Sequence, residues 1–313
     1  MTSRLRVLGY HRVIDIANPI ASDPGVISAS PLGFEQQMEY LARRYRVVSM
    51  EHVLAAQRRE RVLPHNAVLL TFDDACRDFA EVAWPILQRY ELPATVFVPT
   101  AYASAPQPSF WWDRLYRAFL RTSHRAVDVP GLHAFSLAGS GARLAALRAV
   151  QRHVKSVPHQ EAMQLVDLLC QRLEVADDGS APVLGWSELR SLAAAGVTLV
   201  AHTRRHPALT QVDDETVGSE VAGSFDDLER ETGQKLPVFC YPYGLYNDRV
   251  VSILRDLHVE LAFTCEDGHN KLPSADGLCC RRTMITRKTT LFIFALRLQS
   301  AVTYLDRWRH RSA

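Results

Sequence analysis

Thr71-Phe72-Asp73-Asp74 sets two adjacent carboxylates at the end of an apolar run, Ala67 to Phe72. Adjacent carboxylates repel one another, and a bound cation relieves the repulsion. The plain structural alternative is helix capping, with Asp73 or Asp74 as N-cap of the helix that follows. His202-Thr203-Arg204-Arg205-His206 follows a second apolar run, and its two imidazoles, four residues apart, meet on one face of a turn. That spacing suits a shared divalent metal, although a chain with twelve histidines also produces such pairs by chance. Tyr241-Pro242-Tyr243-Gly244 is a turn behind a third run, and a turn can aim a backbone N–H at a reacting oxygen. The three together say more than any one. A carboxylate and two imidazoles form a facial set of three ligands that leaves positions open for water and substrate, and the spare carboxylate can serve as base. The chemistry of such a set is metal-assisted hydrolysis.

Bringing these groups together requires several strands that end at one face. Arg6 to Tyr10 reads as a short strand with His11 just past its end, followed by a loop over 12–32. Phe34, Met38 and Leu41 give the stripe of an amphipathic helix over 34–45. Val47 to Met50 reads as a strand and Glu51 to Arg59 as a helix. Ala67 to Phe72 is nearly continuous in apolar residues, as in a strand buried on both faces of a parallel sheet. A helix over Asp78–Tyr90 and a strand over Ala94–Val98 complete a βαβ unit. After the change of character at 101–182, the alternation resumes. A helix over Trp186–Ala195, a strand over Val197–Val200 and a helix over 213–232 stopped by Gly233 come first. A strand at Val238–Tyr241, a helix at Asn247–Leu257 and a strand at Leu261–Thr264 complete the series. The expected fold is α/β: a distorted (β/α) barrel of about seven strands, with chemistry at the carboxyl ends of the strands. Residues 1–313 are expected to form a single catalytic domain, with 101–182 as a mostly helical insertion.

The composition agrees. The chain has 313 residues, 47% of them hydrophobic and 22% charged, which is ample for a core. The net charge of +2 is too mild for a nucleic-acid partner. No run approaches the roughly 18 apolar residues of a membrane span. The N-terminus MTSRLRVLGYHRV lacks the apolar stretch and small-residue cleavage site of a signal peptide, so the expected location is cytoplasmic. The six cysteines form no CxxC pair and are expected to be reduced thiols.

TFDD, HTRRH and YPYG, in this order, resemble the polysaccharide deacetylase (NodB-homology) family, carbohydrate esterase family 4. Tyr10-His11-Arg12-Val13 with the following helix and VVS resembles the bacterial branch associated with exopolysaccharide synthesis. The resemblance covers about 67–100 and 186–282. It implies a distorted barrel that removes N-acetyl groups hydrolytically from an amino sugar in a polysaccharide or glycoconjugate. Carried over by position, Asp73 matches the catalytic base, and Asp74, His202 and His206 match the ligands of a divalent metal, usually zinc. Tyr243 matches the residue whose backbone N–H helps form the oxyanion hole. The chain departs from the family's pattern in three places. Ala75-Cys76 stands where Gly-Tyr is common. Cys240 stands where many members have an arginine that tethers the base; Arg282, or failing it Arg281, resembles a later arginine able to take that role. The late Leu-x-His segment that carries the general acid is absent.

The acid is therefore placed on His11, at the end of the first strand, with His269 as second choice; the alternative is a histidine that closes off a strand end. Trp111-Trp112 fits packing of the insertion better than stacking on sugar. Asp267-Gly268-His269-Asn270 reads as a turn near the active face. The tail from Leu291 carries LFIFALRL and then Arg307, Arg309 and Arg311. It reads as a docking helix, with association to an anionic membrane surface as the alternative. Two functional rivals remain: a family relative that hydrolyses a non-sugar amide, and a non-catalytic saccharide-binding module.

Overall fold

The computed structural model describes residues 3–15, 23–104, 109–175, 183–274 and 276–299. The chain folds as two compact units, one of residues 1–15, 27–105 and 183–313, the other of 16–26 and 106–182.

The first unit is the distorted (β/α) barrel. Its nine-stranded sheet contains β1 (Ser3–Tyr10), β2 (Arg46–Val47), β3 (Ala67–Phe72), β4 (Thr95–Val98) and β5 (Thr198–Ala201). The rest are β6 (Val238–Cys240), β7 (Leu261–Phe263), β8 (His269–Leu272) and β9 (Thr283–Met284). The order is β7-β6-β5-β4-β3-β1-β8, with β2 on β3 and β9 on β1. Every pairing is parallel except β1 with β8. Helices α1 (Pro31–Arg44), α2 (Met50–Gln57), α3 (Trp84–Arg89), α4 (Trp186–Ala194), α5 (Asp214–Thr232), α6 (Asp248–Asp256) and α7 (Leu291–Leu298) accompany the strands.

Successive strand residues point to opposite faces, so every second residue shares one face. Leu5 and Val7 of β1, Ala67 and Leu69 of β3, Phe97, Val200, Val238, Cys240, Leu261 and Phe263 form one buried cluster, the barrel interior. Val53, Leu54 and Ala56 of α2 and the neighbouring Leu63 belong to it too. The same parity carries each inward row onward: Leu5 and Val7 lead to His11, Leu69 to Asp73, and Val200 to His202. Chemistry-bearing residues thus emerge at the interior mouth because the strands beneath them alternate.

The seam of the barrel is made by a segment without regular periodicity. Cys280 bridges Phe263 of β7, and Thr283 and Met284 pair with Leu8 and Gly9 of β1. Residues 280–284 therefore join the last parallel strand to the first, and Arg282 lies between the two attachments.

Several local readings need adjustment. Ser49 does not continue a strand; its side chain caps α2, which takes Met50. The turn Phe79–Ala83 before α3 is wound as π-helix, next to Pro85, which has no N–H to donate. The stretch 12–32 holds a two-strand sheet, Arg12–Val13 with Ile27–Ala29, while 16–22 lie outside the described residues. His269 is not in a turn near the active face. It opens β8, which runs antiparallel to the first half of β1, and stands opposite Arg6. The chain reverses after β7 and descends beside β1, which carries His269 away from the mouth.

The second unit has helices Trp111–Arg121, Ser140–Val154 and His159–Arg172 and a hairpin of Ala126–Asp128 with Ala134–Ser136. Both tryptophans are buried: Trp112 stacks on Phe110 at 4.4 Å between ring centroids and meets Trp111 edge-on. Among the described residues no helix is long and apolar enough to cross a membrane. The arginines of the tail beyond 299 lie outside the described residues.

Candidate active site

Asp73 directly follows β3 and is locked at its backbone, its N–H bonding the Tyr10 carbonyl at 2.8 Å. Its carboxylate is 3% exposed and accepts both arms of Arg282, Oδ1 at 2.6 Å and Oδ2 at 2.9 Å. This planar, two-bond pairing is the geometry to which arginine is suited. Arg282 is itself fully buried. Its Nε donates to the Thr264 carbonyl at 2.8 Å, and its guanidinium lies over Phe97 at 5.4 Å. Burial pushes the Asp73 carboxyl up, but Arg282, helped by His11 and His202, outweighs it and holds the group well below the usual carboxylate range. Asp73 is a charged acceptor at any working pH. Arg281, the neighbour, points the other way, to Glu266 and the Asp267 carbonyl, as strand alternation requires.

His11 stands on the other side of Asp73, its Nε2 at 3.7 Å from Asp73 Oδ2, with its side chain 27% exposed. Two residues not foreseen in the sequence position it. Its N–H donates to Ser28 Oγ at 2.8 Å. Asp78 receives the Val13 N–H at 2.7 Å and Arg12 Nε at 2.9 Å.

The other three groups also converge. Asp74 Oδ1 lies 3.3 Å from His206 Nε2 and 3.7 Å from His202 Nε2, and the two imidazole nitrogens are 3.2 Å apart. All three side chains are buried. A point about 2 Å from each of the three atoms exists, which is the ligand distance of zinc. His202 Nδ1 faces the Cys240 carbonyl at 2.7 Å. A carbonyl only accepts, so the ring proton sits on Nδ1 and Nε2 presents its lone pair to the cluster. Burial pushes His202 down to about 4 and His206 well below the ordinary imidazole value. Neutral imidazoles beside a carboxylate fit a divalent ion. A second set, Asp73, His202 and Cys240, also brings its possible ligand atoms within 4.8 Å of one another. It fits poorly, because Arg282 occupies both Asp73 oxygens and burial raises the Cys240 thiol well above its usual value.

The loop that carries the histidines is held from beneath. Glu220 of α5, 3% exposed, accepts the backbone N–H groups of Arg204 and Arg205 at 2.9 and 2.8 Å. Thr203 Oγ1 accepts the His206 N–H at 3.0 Å. Asp74, Ala75, Thr203, His206 and Tyr243 all have φ between 47° and 72°, a left-handed region costly for residues with a side chain. Such strain gathers at functional sites. The Tyr243 ring meets His206 edge-on at 4.7 Å and its hydroxyl donates to the His206 carbonyl at 3.3 Å. This brings the YPYG turn to the cluster of Asp74, His202 and His206.

The arrangement sets a charged carboxylate, Asp73, and an imidazole, His11, beside three groups able to hold a metal ion and a strained turn. Residues 60–262 match the model of the polysaccharide deacetylase family. An 88-residue stretch is 33% identical to the poly-beta-1,6-N-acetyl-D-glucosamine N-deacetylase of Escherichia coli K12; it covers 28% of this chain and spans only 12% of that relative's length. The fold is similar to the Streptococcus pyogenes deacetylase PplD in complex with acetate, with a TM-score of 0.66 and 21% identity over 96% of this chain and 100% of that one. It is also similar to IcaB from Ammonifex degensii, with a TM-score of 0.60 and 18% identity over 95% of this chain and 98% of that one.

Proposed function

The chain belongs to the polysaccharide deacetylase family, and we propose that it is a metal-dependent hydrolase that removes N-acetyl groups from an amino sugar in a polysaccharide or glycoconjugate. One observation carries this reading: the triangle of Asp74, His202 and His206 beside the Asp73–Arg282 pair. Asp74, His202 and His206 would hold a divalent ion, zinc by donor type, which supplies Lewis acidity toward a water and the acetamide carbonyl. Asp73 accepts the proton of the attacking water. Arg282 keeps Asp73 ionised and fixes its plane. The Tyr243 backbone N–H is assigned to the developing oxyanion. His11 donates the proton that lets the amine leave, because an unprotonated amine is a poor leaving group. The name of the matched E. coli relative makes β-1,6-linked N-acetylglucosamine oligomers the first substrate to test.

The test is acetate release from such oligomers, before and after treatment with a chelator and after zinc is restored. Acetate release lost on chelation and regained with zinc is expected. Stoichiometric zinc with no acetate from any N-acetylated saccharide would favour a binding module, and hydrolysis of another amide without acetate would favour the non-sugar relative.

A further inference from the structure

Among the described residues, large hydrophobic side chains exposed on the barrel unit gather at one end. Leu32 is 66% exposed, Phe292 73%, Ile293 40%, Leu291 39% and Leu245 38%; Val62, before β3 and so at the opposite end, is the exception. Leu245 directly follows the YPYG turn at the carboxyl end of β6. Thr283 and Met284 run parallel to β1, so the chain leaves β9 at the mouth, beside His11. There the Ile285 N–H bonds the Gly9 carbonyl and the Arg287 N–H bonds the Ile27 carbonyl at 3.0 Å. Gln37 of α1 donates to the Thr289 carbonyl at 3.2 Å, which ties this connection to the helix that begins with Leu32. Arg287 and Lys288 are exposed and stand just ahead of the apolar triplet Leu291-Phe292-Ile293, with Thr289 and Thr290 between. The same end also bears exposed carboxylates at Asp15, Asp213, Asp214, Glu215, Asp248 and Glu266, so its charge is mixed; Arg287 and Lys288 are the cations that lie just ahead of the apolar triplet.

We propose that this rim is a docking surface for a lipid membrane with anionic headgroups. Two cations flanking a short exposed apolar segment match such a surface: the side chains enter the headgroup–acyl boundary and the cations meet the negative surface. Its place beside the mouth holds the site against a saccharide carried on or next to the bilayer. That last clause rests on the deacetylase reading; the docking itself does not.

The experiment is co-sedimentation of the full chain with vesicles of phosphatidylcholine alone and of phosphatidylcholine mixed with phosphatidylglycerol, without saccharide. Binding to the anionic vesicles is expected, weakened by salt and by about fivefold for each of Arg287→Gln and Lys288→Gln. Phe292→Ser should weaken it at least ~10-fold. Each variant should keep the wild-type melting temperature and wild-type hydrolysis of a short soluble oligomer. Absence of vesicle binding, or binding indifferent to all three substitutions, overturns the proposal. A dimer that Phe292→Ser dissolves, with no vesicle binding, would assign the rim to a second copy of the chain. A raised KM of Phe292→Ser on the soluble oligomer, again with no vesicle binding, would make it a saccharide platform. Vesicle binding by a chain that releases no acetate would leave docking standing and overturn the deacetylase reading alone.

Discussion

At the scale of single residues, two groups flank one reaction centre and should fail differently. Asp73→Asn keeps shape and leaves the three metal ligands untouched, but it cannot accept a proton. Turnover should fall by ~10²–10⁴-fold with zinc content unchanged. His11→Ala should also keep its zinc and lose turnover on acetamides, yet largely spare an acetate ester whose leaving group departs without a proton. Equal losses on amide and ester would remove the acid role from His11. Arg282 is the third partner. Its replacement by Met leaves Asp73 charged, buried and unpaired, a situation that costs about 3–5 kcal/mol in folded stability. In the milder Arg282→Lys, the two-bond fit is lost but the charge remains. The Asp73 carboxyl should then move up toward its ordinary range. Because the base works only when ionised, the acid limb of the pH–rate profile should shift to higher pH, while the melting temperature falls less than in the Met variant.

At the scale of elements, the YPYG turn is the sharpest test. Gly244 has φ +69°, and a Cβ there would stand 2.6 Å from the backbone nitrogen of Cys265, which cannot swing aside. Gly244→Ala should cost at least ~1–2 kcal/mol from the backbone conformation alone, and more from the collision. Turnover should fall with stability, because the displaced turn carries Tyr243. Unfolding midpoints and acetate release measured on one sample check both. The elements that carry the ligands were legible in the sequence for a simple reason. Apolar runs such as AVLLTF, buried at every residue, leave little choice but a covered strand. What was not legible shares a different cause. β8, HNKL, is too short and polar to announce itself. The closing segment 280–284 attaches through a residue or two on each side, so it has no period to read. Arg281 and Arg282 could be told apart only once the strand was known to point one inward. Glu220 and Asp78 sit among helical charges that look solvent-facing, and only the fold shows them buried under the loops they hold.

At the scale of the molecule, the buried imidazoles couple stability to pH. Burial pushes His202 down to about 4 and His206 well below the ordinary imidazole value in the folded chain, whereas an unfolded histidine takes up its proton near ~6.5. Between these values the unfolded state binds more protons than the folded one, so stability falls as pH falls. With chelator present, the urea midpoint should drop from about pH 6.5 to about pH 4. His202→Ala should flatten that drop, and an equally steep profile in this variant would assign it to other groups. Asp73 acts in the same direction only further down, because its depressed carboxyl gives stability that is lost as pH falls below the unfolded carboxylate value near ~4. The seam of the barrel adds a consequence in time. Arg282, which pairs with Asp73, sits on the segment that joins the last parallel strand to the first. A ribosome making this chain produces the base at 73 and the histidines at 202 and 206 long before it produces 282. Every shorter nascent chain, however well its early strands have paired, holds Asp73 without its partner. On the proposed mechanism the chain therefore acquires its chemistry in one late step, and incomplete translation products ending before the seam should release no acetate.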